Sequence, residues 1–131
     1  YQLQIDLQQK GHLLLINEGV SSQKYCLCPS MIYTQNQKHS TNKIILLPQE
    51  NAIAKSFKFN EVGEEYFLAI VTKSPLHLSW IRSDYSPSSV VDYVRLDGDR
   101  LQEIFQKIGK QRDSQVFYKK FTVTRTAWLP W

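Results

Sequence analysis

Two cysteines one residue apart, in Cys26-Leu27-Cys28, are the most reactive side chains in this sequence. A thiolate is both a nucleophile and a metal ligand, so thiol catalysis and metal binding are the first chemistries to weigh. Zinc asks for four ligands, and His12 and His39 could complete a set only by coincidence of folding. A nucleophile needs a base within hydrogen-bond reach, and His77 or His12 would have to be brought there by folding alone. On a strand, residues i and i+2 point to one side, so the two thiols are expected to share a face. A bridge between them would be strained. They are therefore expected to be unbridged, small core residues. Buried thiols kept reduced suit the cytosol, which makes cytoplasmic the expected localisation.

The carboxylates lead no further. Asp97-Gly98-Asp99 starts like a calcium loop, but Leu101 and Glu103 do not continue the alternation of oxygen donors; capping of a helix is the expected role. Glu64 and Glu65 are adjacent, so on a strand they point to opposite faces and make a poor acid–base pair. A solvated strand start is expected there. The sequence contains no glycine-rich phosphate loop, no GxSxG and no HExxH. No catalytic residue, metal ligand or cofactor-binding residue is assigned, and the chain is expected not to be an enzyme.

Binding is the remaining class. The formal net charge is +4, and between Arg100 and Arg125 seven Lys or Arg face only Glu103 and Asp113. Lys107, Lys110, Arg112, Lys119, Lys120 and Arg125 are candidates to neutralise phosphates, with Tyr118 to stack on a base. The plainer reading of such a run is a solvated face. Trp80, Trp128 and Trp131 are candidate anchors for a protein partner, because tryptophan is enriched at binding hot spots. Their plainer reading is core or a tail folded back on the domain.

These residues must be positioned by something, and the patterning is mostly that of strands. The chain has 131 residues, enough for one domain with its own core. Its 42% hydrophobic and 21% charged residues are ordinary for a globular protein, and 12% aromatics lean toward β structure. No apolar run approaches the roughly 20 residues of a membrane helix, and no signal-peptide pattern is present. The first residue is Tyr, which raises the expectation of a piece cut from a longer multidomain protein.

Tyr1 to Leu7 alternates with period two, the mark of a half-buried strand. A turn with Gly11 free to take positive φ is expected to lead into a second strand, His12 to Asn17, making a hairpin. Leu13 to Ile16 are apolar on both faces, which predicts a central strand. Ser21 to Cys28 forms the next strand and Pro29 ends it. Ser30 to Asn42 reads as a long exposed loop, Lys43 to Leu47 as a short strand, and Ala54 to Asn60 as another. The stretch Glu61 to Trp80 holds the central core strand, with Tyr66, Leu68 and Ile70 on one face and Phe67, Ala69 and Val71 on the other. Leu76 to Arg82 fits a strand or a helical turn, Ser83 to Ser89 a loop, and Val90 to Val94 is short and β-branched.

The period then changes. Leu101, Ile104, Phe105 and Ile108 recur at helical spacing. Asp99 with Gln102 reads as a capping box and Gly109 as a C-terminal glycine, which bounds a helix at about 100–108 lying across a sheet. Gln115 to Thr126 alternates again. Phe117, Phe121 and Val123 are expected to face the core, with Lys119 interrupting that face as at a bulge or an edge. A two-layer antiparallel β-sandwich in a single domain, 1–131, accommodates these elements.

GHLLLINEG, CLCPS, LLP and EVGEEYFLAIVTKSPL together resemble the bacterial domain-of-unknown-function family numbered four-three-eight-four. Gly11, Pro29, Pro48, Gly63, Ala69, Ile70, Pro75 and Leu76 carry the pattern, which covers about residues 1–76. The family usually has an aromatic residue before its first proline, where this sequence has Cys28. The resemblance implies an immunoglobulin-like sandwich without catalytic residues, appended to peptidases, kinases and other signalling proteins. The expected function is then a non-enzymatic accessory module that binds a protein partner or a neighbouring domain. Nucleic-acid binding through the basic third is the alternative.

Overall fold

A computed structural model describes residues 3–6, 11–30, 38–39, 44–47, 61–80, 95–112 and 114–123. The described part is mainly β. Among the described residues there are seven strands: β1 (Leu3–Asp6), β2 (Gly11–Glu18), β3 (Lys24–Cys28), β4 (Lys38–His39), β5 (Ile44–Leu47), β6 (Gly63–Thr72) and β7 (Gln115–Val123). A helix, α1 (Gly98–Gly109), precedes β7.

The principal sheet runs β3-β2-β6-β7, all antiparallel, and the two-residue β4 pairs the start of β2. The two strands whose sequences are apolar on both faces, β2 and β6, hold the interior positions, as their patterning predicts. Leu13, Leu15, Leu27, Cys28, Phe67 and Val71 form a buried cluster on one face, and Leu3 and Ile5 of β1 pack against it. Leu14, Ile16, Cys26, Ile70, Leu76, Leu78, Leu96 and Ile104 form a second cluster on the other face, beneath α1. Of the segment 76–82, which its sequence leaves between strand and helical turn, residues 76–80 are described: Leu76 and Leu78 bury without strand pairing, and a turn follows at Ser79–Trp80.

The expected hairpin between the first two strands does not form. Instead β1 pairs β5 in a separate two-stranded sheet, in the register Leu3↔Leu47 to Asp6↔Ile44. The edges of β2 are taken by β6 on one side and by β3 and β4 on the other, so β1 gains more by laying Leu3 and Ile5 on an apolar face. Gly11 is needed for closeness rather than for positive φ. A Cβ there would stand 2.5 Å from Val71 Cγ1 and 2.9 Å from the Thr72 carbonyl oxygen. Positive φ belongs to Gly63 (+142°), the residue that starts β6, and to Ser22 in the β2–β3 turn.

Part of the polar stretch 30–42 is also structural: Ser30 is buried, and Lys38 and His39 pair with His12 and Gly11. The predicted strand at 54–60 and the short β-branched stretch at 90–94 lie outside the described residues.

α1 runs further than its apolar stripe predicts. Its N-cap is Asp97, whose Oδ1 accepts from the Arg100 amide at 2.8 Å, so Asp99 and Gln102 are not the capping pair. Gly109 is the last helical residue and does not supply a left-handed cap. The helix ends in tightened turns, with Lys110 N donating to Lys107 O and Gln111 N to Ile108 O. Ile104 is fully buried and Leu101 and Ile108 are half-buried, but Phe105 stays exposed. The entry to the helix is fixed by backbone: Leu96 N donates to Lys24 O at 2.7 Å, and Arg95 bridges Tyr25 on the outer edge of β3.

Candidate functional site

The candidate site is the outer flank of β7. This strand pairs β6 over nine consecutive positions, from Gly63↔Val123 to Val71↔Gln115, and among the described strands it has no second neighbour. The edge position anticipated from Lys119 is thereby explained without a bulge. An edge strand keeps only part of each side chain covered, and Phe117 and Phe121 are therefore not core residues as their alternation predicts. They are 45% and 43% exposed, while Val116 and Tyr118 on the opposite face are 61% and 63% exposed. Large apolar side chains thus flank both faces of one edge.

Each face has a hollow beside them. On the β1 side an open apolar groove of about 300 Å³ is floored by Leu3, Ile5, Phe67 and Ala69 and walled by Phe117 and Phe121. The Phe67 and Phe121 rings meet edge to face at 5.4 Å, which fixes the wall. On the helix side a hollow of about 290 Å³ lies among Leu68, Leu101, Phe105 and Tyr118. The exposure of Phe105 and the β7 aromatics is the feature that periodicity alone misses: it reports which face a residue takes, not whether that face is covered.

The basic candidates do not gather into one surface. Lys119 and Lys120 project to opposite faces of β7. Lys120 Nζ is 3.3 Å from Glu64 Oε1, and Glu64 also accepts from the Tyr66 hydroxyl. The Tyr66 bond and then Lys120 hold the Glu64 carboxyl below its usual range. The same bond, with burial and the Glu64 charge, pushes the Tyr66 phenol up to about 12. That phenol stays protonated at neutral pH and serves as a donor, not a base. Lys119 Nζ sits 5.7 Å from the Phe121 ring centroid, at the lip of the apolar groove. Lys107 pairs with Glu103 at 3.3 Å along the helix. Lys110 and Arg112 are exposed beyond its end. Arg125 lies outside the described residues.

Of the aromatic anchors, Trp80 is half-buried against the cluster under α1, with the Arg100 guanidinium 4.8 Å from its ring centroid. It fastens the helix start to the sheet. Trp128 and Trp131 lie outside the described residues.

The cysteines part company. β2 pairs Ile16 with Cys26 but Leu15 with Cys28, so Leu27 is an extra residue in β3. This bulge cancels the expected shared face: Cys26 joins the helix-side cluster and Cys28 the other. Cys26 Sγ donates to Pro29 O at 3.3 Å and Cys28 Sγ to Leu13 O at 3.4 Å. Burial pushes the Cys28 thiol up to about 12 and the Cys26 thiol further still. These are thiols, not thiolates, at neutral pH. Glu65 is likewise buried rather than solvated. It sits at the end of the β1-side face and accepts from Asn17 Nδ2 at 3.0 Å, while Glu64 points outward. Among the described residues no three His, Cys, Asp or Glu converge as metal ligands. No helix there is long and apolar enough to cross a membrane.

No protein-family model, curated protein or solved structure matches this chain.

Proposed function

We propose that this domain is a non-enzymatic accessory module of a larger bacterial signalling or regulatory protein, docking a protein partner or a neighbouring domain of its own polypeptide. In this reading it is a cytoplasmic, immunoglobulin-like two-layer β-sandwich of the family numbered four-three-eight-four. The packing of Leu3 and Ile5 onto the face of Leu15 and Phe67 supports the second layer. The observation that carries docking is the β7 edge with Val116, Phe117, Tyr118 and Phe121 exposed along it, because aromatic side chains are enriched in interface cores.

The test is lysine-directed cross-linking of the intact native protein. Cross-links from Lys119 or Lys120 to another domain or chain are expected, and Phe117→Ala with Phe121→Ala should abolish them. Nucleic-acid binding at about 50 mM salt that weakens steeply as salt rises, without those cross-links, would favour the basic third instead and sink the docking reading.

A further inference from the structure

We propose that the β7 edge receives an extended, acidic segment of a partner protein as an added strand, its carboxylate seated at Lys119 and its apolar side chains two residues to either side packed on Phe117 and Phe121. The proposal rests on the docking reading above and names its occupant. β7 has one paired neighbour among the described residues, and such a strand presents a row of backbone donors and acceptors to an incoming chain, with alternate side chains supplying specificity.

The charges along β7 decide between a second copy of this chain and a foreign segment. The strand QVFYKKFTV carries two lysines at its middle and no acidic residue. In an antiparallel pair of two copies centred on residue 119, Lys119 faces Lys119. Shifting by one places Lys119 against Lys120, and shifting again places Lys120 against Lys120. Like charges directly opposite are destabilising, so the full-length register and the shifts toward Val123 are opposed; shifts the other way separate the lysines, but β7 has no acidic residue, so no register of two copies brings a carboxylate to Lys119. A foreign strand with a carboxylate at its centre reverses the sign of that contact.

The two lysines are not equivalent. Lys120 already pairs with Glu64 on the helix face. Lys119 stands over the Phe121 ring at the apolar groove. The β1-side face therefore offers aromatic, cation, aromatic at positions 117, 119 and 121. Its complement is apolar, acidic, apolar at the same two-residue spacing.

The probe is a blocked nine-residue peptide alternating Val and Thr with Glu at its centre, titrated calorimetrically into the 131-residue chain. Binding is expected, with slowed amide exchange confined to 115–123. A Lys-centred peptide should bind about two- to fivefold more weakly, the range of a cross-strand charge pair. Lys119→Glu should reverse that preference, circular dichroism verifying its fold. Two versions of the Glu peptide, N-methylated on alternate residues, separate strand addition from side-chain capture. One should bind and the other should not, because an added strand presents only alternate amides to its neighbour.

No binding, equal binding of both methylated peptides, or a concentration-dependent dimer protected at 115–123 overturns the proposal. If peptide binding fails while the aromatic variants still abolish cross-links in the native protein, strand addition is wrong and docking stands. If the cross-links themselves are missing, the docking reading falls with it.

Discussion

Cys26 and Cys28 are separated by a single residue and yet belong to different cores. With both thiols buried and protonated, native protein at pH 7–8 should react with a thiol reagent orders of magnitude more slowly than protein in denaturant, as thiolate fraction and access both vanish. Rapid titration of either cysteine in the native state would contradict their placement. Gly11 makes a comparable point about space. A Cβ at 2.5 Å from Val71 and 2.9 Å from backbone demands movement of an interior strand, so Gly11→Ala should destabilise by about 1–3 kcal/mol, the usual cost of overpacking. Urea unfolding will read it as a lower midpoint at unchanged slope. Neither result was legible in residue type alone. The spacing of the cysteines identifies them as strand residues, but only the pairing with β2 reveals the extra residue at Leu27. Gly11 is visible as a special position, whereas its reason, an approach to Val71 and Thr72, arises from residues 60 positions away.

At the scale of elements, α1 is held by contacts that differ in kind along its length. Asp97 caps it, a contact worth about 1 kcal/mol, and Ile104 buries completely. Glu103 then latches it to the segment after β6, accepting from Ser79 N at 3.0 Å and from Ser79 Oγ at 2.9 Å while Lys107 pairs beside it. Burial works against the Glu103 charge, but the Ser79 donors and Lys107 outweigh it and hold the carboxyl below its ordinary 4.5. A depressed carboxyl contributes stability that is present above 4.5 and lost as pH falls through the lower folded value. Glu103→Gln should therefore be less stable than the parent by about 1 kcal/mol at pH 7, the difference between a charged and a neutral hydrogen bond. The two proteins should converge in acid below the folded value. A constant gap in thermal or urea midpoints from pH 7 to pH 3 would remove the latch. The existence of this helix and the two-faced interior strands were readable from periodicity. The cap at Asp97 and the exposure of Phe105 were not, because a stripe of apolar residues does not say how much sheet lies beneath it.

Across the whole molecule, the sheet is covered unevenly: thickly over β2 and β6, thinly over β7. Val116 is 61% exposed, so Val116→Lys should change stability by no more than about 0.5 kcal/mol, as for surface substitutions generally. A fall larger than about 2 kcal/mol in a denaturant titration would mean that the β7 flank is core after all. The pairing of β6 with β7 joins Val71 to Gln115 and Gly63 to Val123, so the sheet's outermost seam is also among its longest-range. Non-local pairing is slow to form because the intervening chain must be ordered first. During synthesis, β6 waits with one side bare until α1 has been made and β7 emerges. When β7 arrives it seals that side and at once offers its own. The molecule thus captures one strand late in its own folding, in the manner proposed above for a partner's segment.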